Sequence, residues 1–318
     1  MATATKSRPK VSIKHEARVT KVVRDAAQET TNKIIAALEA GTVIWHKEWD
    51  GIAGLPTSLA TYKPYQGSNV LVLWLTALEK GYNSLYWGTY KQMSERGGQV
   101  RKGEKSVEII RPITFEREQD DGTIKKFHIL RLFHVFNVDQ CDWAEDARLP
   151  KVAVRTPVEA IEGAEAIVAD YLATGPSLGH GGDRAYYQPG TDHIQLPLRD
   201  QFHSAEAYHS TKFHEAVHST GHSSREARQG IAEGTFGAFG DAVYSNEELI
   251  AELGAAMLCA IAGIEQQATL DSSAAYLAHW IKALKGDKNL IIQAASAAQK
   301  AVNRIVGNLP VDTEEEES

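Results

Sequence analysis

The hydrophobic and polar positions of this sequence repeat with two different periods, which separate predicted helices from predicted strands. Apolar residues recur every three or four positions from about Ala17 to Ala40 and from Asn69 to Lys80, and each run stops at a glycine. This spacing predicts amphipathic helices. The alternation then changes to that of strands in Val107 to Phe115 and Lys125 to Asn137, joined by a turn at Asp120 to Gly122. We therefore predict helices followed by an antiparallel β-meander.

The second half of the chain is predicted to be mostly helical. Short strands near Ala185 to Tyr187 and His193 to Leu196 flank the turn sequence PGTD, which predicts a hairpin. The predicted helices are Pro157–Thr174, Ala205–Thr220, Ser245–Ala262, Ser272–Gly286 and Asn289–Gly307. The expected fold class is α+β, with helices and a β-meander in the N-terminal part and a mostly helical C-terminal part that carries a short β-hairpin.

Length and composition indicate how these elements are grouped. The chain has 318 residues, of which 43% are hydrophobic and 24% charged, and this is enough for about two domains. A charge cluster and two prolines between Trp143 and Pro157 indicate a linker. We predict a flexible basic arm at 1–14, a first domain at 15–148, a linker at 149–157, a second domain at 158–308 and an acidic, disordered tail at 309–318.

Cysteine content and hydropathy indicate the compartment. Cys141 and Cys259 are too few for a disulfide framework or a four-cysteine zinc site. The first ten residues lack the apolar core of a secretory signal, and apolar runs such as Val70 to Leu75 are far shorter than the roughly 18 residues that suggest a membrane span. We expect a cytoplasmic protein that does not cross a membrane.

Charge is distributed unevenly between the two halves. Residues 1–158 contain 24 Lys and Arg against 18 Asp and Glu, whereas the remaining residues contain 10 against 23. A basic half joined to an acidic half favours a polyanionic partner for the basic half, because summed fields steer association. Two ordinary solvated surfaces are the alternative.

The sequence HEAVH, from His214 to His218, is the clearest chemical signal in the chain. Residues four apart lie on one face of a helix about 6 Å along its axis, so both imidazoles can bind one metal ion. In the HExxH arrangement the histidines bind zinc, and the intervening glutamate, here Glu215, takes a proton from the zinc-bound water. The alternative is a surface charge pair with two ordinary histidines.

A third metal ligand must come from elsewhere, and two residues qualify. His222 lies one turn beyond His218 if the helix continues through Gly221, and Glu248 lies on a second predicted helix. We favour Glu248 as the ligand, with Glu252 one turn later accepting a hydrogen bond from a histidine. Because Glu247 adjoins Glu248, a small rotation of that helix would exchange them. The metzincin spacing is absent, since it requires histidine at position 224, which is Ser224.

Aromatic and basic residues are interleaved in the predicted first domain. Tyr62, Tyr82 and Tyr86 belong to this set, as do Lys47 and Arg96. Proteins that bind single strands combine a positive groove with aromatic rings on which bases stack. The candidate DNA-binding residues are Lys63, Tyr65, Trp87, Tyr90, Lys91, Arg101, Lys102 and Lys105. The alternative is that the aromatic rings pack in the core and the basic turn is merely solvated.

Six sequence blocks, in order, resemble the ArdC-type antirestriction proteins of conjugative plasmids. The blocks are YKPYQGSNVLVLW, YWGTYKQMSERGGQVRKGEKS, FHVFNVDQCD, AYYQPGTDHIQLP, HEAVHSTGH and YSNEELIAELGAAML. The resemblance covers about residues 15 to 305, and its N-terminal part is also similar to the front of TraC-type primases. It implies a domain that binds single-stranded DNA, a zincin-like metallopeptidase domain, and a role in protecting incoming plasmid DNA from host restriction.

Two functions from different classes remain open at this stage. In the first, the protein is a zinc-dependent peptidase, with Mn²⁺ or another divalent metal as an alternative to zinc, and a host restriction protein is a possible substrate. In the second, it is a DNA-binding shield whose metal is structural or vestigial. A nuclease that uses the same metal is a third function, which the ligand spacing argues against because it is the spacing of a zincin.

Overall fold

The structure, a computed structural model, describes residues 25–44, 52–118, 123–234, 242–264 and 274–307. Several predictions lie outside these ranges: the basic arm, the start of the first helix, the turn at Asp120 to Gly122, the first residues of the helix predicted at Ser272, and the acidic tail.

Helices and a four-stranded sheet form the N-terminal part of the described chain. Its elements are α1 (Ala26–Glu39), β1 (Ile52–Ala53), β2 (Thr57–Ser58), α2 (Ser68–Lys80), β3 (Tyr86–Gly88), α3 (Tyr90–Glu95), β4 (Gly98–Val100), β5 (Val107–Glu118), β6 (Ile124–Asn137), β7 (Cys141–Trp143) and β8 (Ala153–Val154). Strands β5 and β6 form a long antiparallel hairpin, with Val107 opposite Val135, in a sheet of order β2-β3-β6-β5. The predicted order of helices and then an antiparallel hairpin is confirmed.

The apolar helix α2 organises this part of the molecule. It ends at Gly81, whose positive φ of 67° is a left-handed conformation that glycine adopts without strain. One face of α2 buries Val72 and Leu73 with Trp87 of β3 and Ile109 of β5, and its other face joins a larger core. The helix is therefore buried on both sides, as its continuous apolar run indicates.

The C-terminal part is mostly helical, as predicted. Its elements are α4 (Pro157–Thr174), β9 (Ser177–His180), β10 (Tyr186–Gln188), β11 (His193–Leu196), α5 (Ala205–Thr220), α6 (Ala242–Ala262), α7 (Ala274–Gly286) and α8 (Leu290–Val306). Strands β10 and β11 form the predicted antiparallel hairpin. Strand β9, which the pattern did not indicate, pairs with β11 in parallel. A capping box between Thr156 and Glu159 starts α4.

One hydrophobic core joins the two parts of the chain. It contains Leu38 of α1 and Trp74 of α2 together with Leu253 of α6 and Ala295 of α8. In the predicted linker, Val152 packs against this core, and the exposed strand β8 pairs with β1. Among the described helices, none has the length and apolar content needed to span a bilayer.

Candidate functional site

The HEAVH sequence lies on α5, a largely buried helix of the C-terminal part. Ser204 starts the helix by accepting a hydrogen bond from the backbone N–H of Ala207, and the helix ends at Gly221. His214 and His218 are 4% and 3% exposed, and Glu215 is 7% exposed. Two buried imidazoles therefore occupy one face of a helix, as the spacing of four predicts.

Helix α6 brings a carboxylate to these imidazoles. The two Nε2 atoms of His214 and His218 lie 3.0 Å apart. Glu248 places Oε2 3.4 Å from the Nε2 atom of His214 and Oε1 3.6 Å from that of His218. Within the described residues, these three side chains form the one group with the geometry of a metal site.

The donor set fits a divalent metal such as zinc. With metal–nitrogen distances of about 2.0 to 2.1 Å, neighbouring ligands of a tetrahedral ion lie about 3.3 Å apart. The three observed separations of 3.0, 3.4 and 3.6 Å bracket this value. Two imidazoles and one carboxylate are also the protein ligands of many catalytic zinc sites, which leave a fourth position open.

A second glutamate orients His218. Oε1 of Glu247 lies 3.1 Å from Nδ1 of His218. Arg228 holds that carboxylate, with Nη2 2.6 Å from Oε1 and Nε 2.8 Å from Oε2. Arg228 also donates to the backbone oxygen of Val217, which ties it to α5. The sequence favoured Glu248 over the adjacent Glu247 as the ligand, and in the structure Glu248 lies at the two Nε2 atoms whereas Glu247 lies behind His218. No sequence pattern indicated Arg228.

His214 has a corresponding carboxylate behind it. Oε1 of Glu252 lies 3.6 Å from Nδ1 of His214, and Glu252 is 1% exposed. This separation is longer than a hydrogen bond, and Nδ1 of His214 has no hydrogen-bond partner among the described residues, so the expected hydrogen bond from a histidine to Glu252 stays a prediction. Each imidazole thus directs Nε2 towards Glu248 and Nδ1 towards a different buried carboxylate.

Close packing of α6 on α5 sets these distances. Gly254 lies two residues after Glu252, and a Cβ atom built on it would lie 2.7 and 2.9 Å from the two methyl carbons of Val217. Such contacts are too short, so glycine is needed where the helices cross. Val217 itself precedes His218, which places this crossing beside the candidate ligands.

The buried carboxylates favour positive charge at the centre of the site. Burial alone would lower the pKa of His214, but the hydrogen bond to Glu248 and the charges of Glu252 and Glu215 outweigh burial and raise this pKa to about 10. Burial likewise opposes ionisation of Glu248, but the nearby charges of His218 and His214 hold its pKa below the ordinary value. The same field favours a divalent cation.

The alternative ligand His222 and three nearby tyrosines have different environments. The helix does not continue to His222, whose Nδ1 lies 2.8 Å from the Ser224 hydroxyl and which is outside the metal-site group. Tyr187 is buried and donates to Asp192, whereas Tyr186 is 44% exposed on β10. Tyr244 hydrogen-bonds to Glu248. Of these three tyrosines, Tyr186 on the hairpin is the exposed one.

In the N-terminal part, two candidate DNA-stacking residues are buried. Trp87 is 1% exposed and Tyr65 is 8% exposed, and both pack against α2. The hydroxyl of Tyr65 donates to the backbone oxygen of Trp87. The structure therefore corrects the expectation for these two residues, because their rings fill the core and present no face to a base.

Other aromatic residues form an exposed surface that the sequence left unsorted. Tyr62 and Tyr90 are 49% and 52% exposed. The rings of Tyr62 and Tyr86 lie 6.3 Å apart, Arg96 stacks 4.9 Å from the centre of the Tyr62 ring, and Tyr90 contacts Phe136. We call Tyr62, Tyr86, Tyr90, Phe136 and Arg96 the aromatic surface. Tyr86 and Phe136 both pack against one small core cluster, so the set lies around a common centre.

The candidate basic residues surround this region in different environments. Lys102 and Lys105 are exposed on the turn before β5, and Lys91 is exposed on α3 beside Glu95. Lys63 is partly buried. Arg101 donates to the backbone oxygens of Asp139 and Cys141, so it fastens the turn to β7 as well as carrying charge.

Comparison with known proteins assigns each part of the chain to a class. Residues 162–297 match the family model of zincin-like metallopeptidases, and residues 24–136 match that of the N-terminal domain of the anti-restriction factor ArdC. The fold and the candidate site thus define a zincin-like protein with an additional N-terminal domain.

Solved structures identify the family. The metal-free crystal structure of the antirestriction ArdC protein from the R388 plasmid is 41% identical, with a TM-score of 0.72 over 89% of this chain and 97% of that chain. The Mn(II)-bound structure of that protein gives a TM-score of 0.69 over the same shares. The present chain belongs to the ArdC antirestriction family, as the sequence resemblance indicated.

Curated relatives share the same two-part arrangement. Protein y4eC of Sinorhizobium fredii is 35% identical over 285 residues, which are 87% of this chain and 90% of the relative. DNA primase TraC of Escherichia coli is 36% identical over 297 residues, or 86% of this chain. The chain spans only 26% of that primase, so its similarity concerns one portion of the larger protein.

Proposed function

We propose that this protein counters host restriction by binding single-stranded plasmid DNA through its N-terminal part and hydrolysing a peptide bond at the α5–α6 site. The observation that carries the catalytic half is the convergence of His214, His218 and Glu248 within 3.6 Å of one another, with Glu215 beside them. We propose Zn²⁺ as the metal, with Mn²⁺ as an alternative that the Mn(II)-bound relative supports.

Each residue of the site has a separate role in the proposed reaction. His214, His218 and Glu248 would hold the metal, which when bound acts as a Lewis acid on the scissile carbonyl and the attacking water. Glu215 accepts the proton from the attacking water and returns it to the leaving amine. Glu247 keeps the imidazole of His218 in orientation, and the charge of Glu252 acts on His214. Strand β10, at one edge of its sheet, offers backbone groups with which an extended peptide can pair.

The aromatic surface and the basic turn support the DNA-binding half of the proposal. Stacked bases contribute about 1 to 3 kcal/mol each on exposed aromatic rings, and Tyr62 and Tyr90 have exposed faces. Lys102 and Lys105 supply positive charge for phosphates without competing ion pairs among the described residues.

The Glu215→Gln variant tests the catalytic half. It keeps the size of the side chain and the proposed ligands but removes the base, so hydrolysis should fall by about 10²- to 10⁴-fold while bound metal, measured by elemental analysis, stays the same. His214→Ala and Glu248→Ala should instead lose metal. The readouts are cleavage of a candidate host restriction protein and the recovery of plasmid transferred into a restricting host.

A DNA-binding shield with a structural metal is the competing function, and the exposed aromatic surface is the observation that favours it. It predicts that plasmid recovery is unchanged in Glu215→Gln but lost when Lys102 and Lys105 are both replaced by Gln. Full cleavage activity in Glu215→Gln would contradict the peptidase proposal.

A further inference from the structure

A cleft of about 560 Å³ lies where the N-terminal part of the chain meets α8, away from the candidate metal site. The β5–β6 hairpin lines it with Arg111 and Leu130, and α8 lines it with Ile292, Ser296 and Lys300. Ligand pockets commonly have volumes of about 300 to 1,000 Å³ and occur at the interfaces between domains. Both the size and the position of this cleft are therefore those of a binding site.

Hydrogen bonds hold the walls of the cleft in place. The side-chain amide of Asn69 donates to the backbone oxygen of Ile110 at 2.8 Å and accepts from its backbone N–H at 2.9 Å. On the other side, the N–H of Gly67 donates to Oε1 of Gln299 at 3.3 Å. These bonds connect the start of α2 to β5 and to α8, so the cleft is formed before any ligand binds.

One end of the cleft consists of hydrogen-bond donors. Helix α2 starts there after Gly67, which has φ 59° and ψ −137° and provides no side-chain cap. A helix start without a cap presents backbone N–H groups and the positive end of the helix dipole. In addition, Nε2 of Gln66 is buried and has no acceptor among the described residues. Both features require an acceptor oxygen.

The charge of the lining is wholly positive. Arg111 and Lys300 line the cleft, and none of the described residues that line it is a carboxylate. Lys300 is exposed and forms no ion pair with any described residue. Helix α8 carries Lys300 and Arg304 and no acidic residue. An anionic ligand would meet two cations and no repelling charge.

Part of the lining is apolar and open to solvent. Leu130 is 45% exposed there, and Pro112 and Ile292 lie on the same lining. A ligand that matches the whole cleft thus combines an oxyanion at one end with a flat, weakly polar group at the other. We propose that the cleft binds a nucleoside monophosphate unit, with its phosphate at the start of α2 near Lys300 and its base against Leu130 and Pro112.

This unit is either a free nucleotide or one residue of a bound single strand, and only the second case rests on the proposed DNA binding. Titration calorimetry with dAMP and fluorescence anisotropy with a labelled twelve-nucleotide oligothymidylate separate the two. Three variants of the full chain are compared: Lys300→Gln removes a cleft cation, Ser296→Phe fills the cleft from the exposed face of α8, and Lys282→Gln removes the same charge from the exposed surface of α7.

We expect Lys300→Gln to weaken binding roughly tenfold, Ser296→Phe to abolish it, and Lys282→Gln to leave it unchanged. If the three variants have these effects on dAMP binding, the cleft is a site for a free nucleotide. If they have these effects on oligonucleotide binding alone, the cleft holds one nucleotide of a bound strand. If the wild-type protein binds no oligonucleotide, DNA binding fails as a function while dAMP still tests the cleft. The inference is overturned if neither ligand binds, or if the cleft variants behave like Lys282→Gln with both.

Discussion

Removing Glu247 should weaken metal binding although Glu247 is not among the proposed ligands. Its carboxylate lies 3.1 Å from Nδ1 of His218, and Glu247→Ala would leave that buried ring nitrogen without its partner and the ring free to turn. Loss of such an orienting group typically costs 10- to 100-fold in metal affinity. The expected result is therefore a measurable decrease in affinity with all three donors still present.

The same decrease can be expressed as a change in stability. At a metal concentration of 100 times Kd, binding to the folded state stabilises it by about 2.7 kcal/mol. If affinity falls tenfold, the stabilisation at the same concentration becomes about 1.4 kcal/mol, and if it falls 100-fold it becomes about 0.4 kcal/mol. The difference between the unfolding free energies with and without Mn²⁺ measures this quantity, and a competition titration with a chelating dye measures Kd directly.

Arg228 complicates the single substitution, because Glu247→Ala leaves its guanidinium buried and unpaired. Breaking a buried pair in this way costs about 3 to 5 kcal/mol, which could unfold the protein. The double variant Arg228→Met with Glu247→Ala removes both charges and avoids this cost. Glu226→Ala is the matched control, since its carboxylate pairs with Arg304 and not with a histidine. Unchanged metal affinity in the folded double variant would refute the role given to Glu247.

Three further predictions concern packing, pH and DNA. Gly254→Ala should force α5 and α6 apart at Val217, lowering the unfolding free energy by about 1 to 3 kcal/mol and reducing metal affinity in the same titrations. Burial above all, with the charge of a neighbouring lysine, lowers the pKa of His209 from 6.5 to about 4, so the folded state excludes a proton that the unfolded state binds. The urea-derived unfolding free energy should thus be unaffected by this group above pH 6.5 and fall by about 3 kcal/mol as pH decreases towards 4, and His209→Gln should remove that slope. Replacing Tyr62 and Tyr90 by Ala should weaken single-strand binding by about 1 to 3 kcal/mol per ring lost, and affinity should decrease with salt; a response that is flat in salt would contradict phosphate contacts.

The elements that the sequence predicted well are those in which one local signal decides the structure. Helix α4 has a capping box at its start, and α2 and α8 end at Gly81 and Gly307, both with positive φ. Strand β9 was missed because its four residues, SLGH, contain no run of β-forming side chains. Strand β9 forms because it pairs with β11, and such a tertiary contact cannot be predicted from a short segment of sequence.

The candidate metal site could be predicted from the sequence because helix geometry fixes which residues share a face. A spacing of four places His214 and His218 together in any helix, whatever its surroundings. The choice between Glu247 and Glu248 could not be made in this way, since it depends on how α6 is rotated against α5. That rotation follows from the glycine at position 254 and from Arg228, neither of which carries a recognisable motif.

For the candidate DNA-binding residues, in contrast, the sequence did not predict which side chains are exposed. The sequence gives only the type of each aromatic residue. Trp87 and Tyr90 are both large aromatic residues, but Trp87 is 1% exposed and Tyr90 is 52% exposed. The difference arises because Trp87 lies on β3 and packs against α2, whereas Tyr90 is the first residue of the short helix α3. Burial of an aromatic ring depends on which face the tertiary structure covers, and only the structure supplies that information.

The shared core suggests how the two parts of the molecule could influence each other. Helix α8 packs against both α6, which carries Glu248, and α2, whose start forms one end of the cleft. Two sites are coupled only if a ligand changes the balance between two arrangements of the element that joins them. A ligand that moves α8 relative to α2 would have to disturb the hydrogen bond from Gly67 to Gln299. We therefore expect this hydrogen bond to contribute to any coupling between the two sites. Gln299→Leu should therefore reduce any effect of oligonucleotide on metal affinity while leaving the metal affinity of the DNA-free protein unchanged, and an undiminished effect would exclude α8 as the connection.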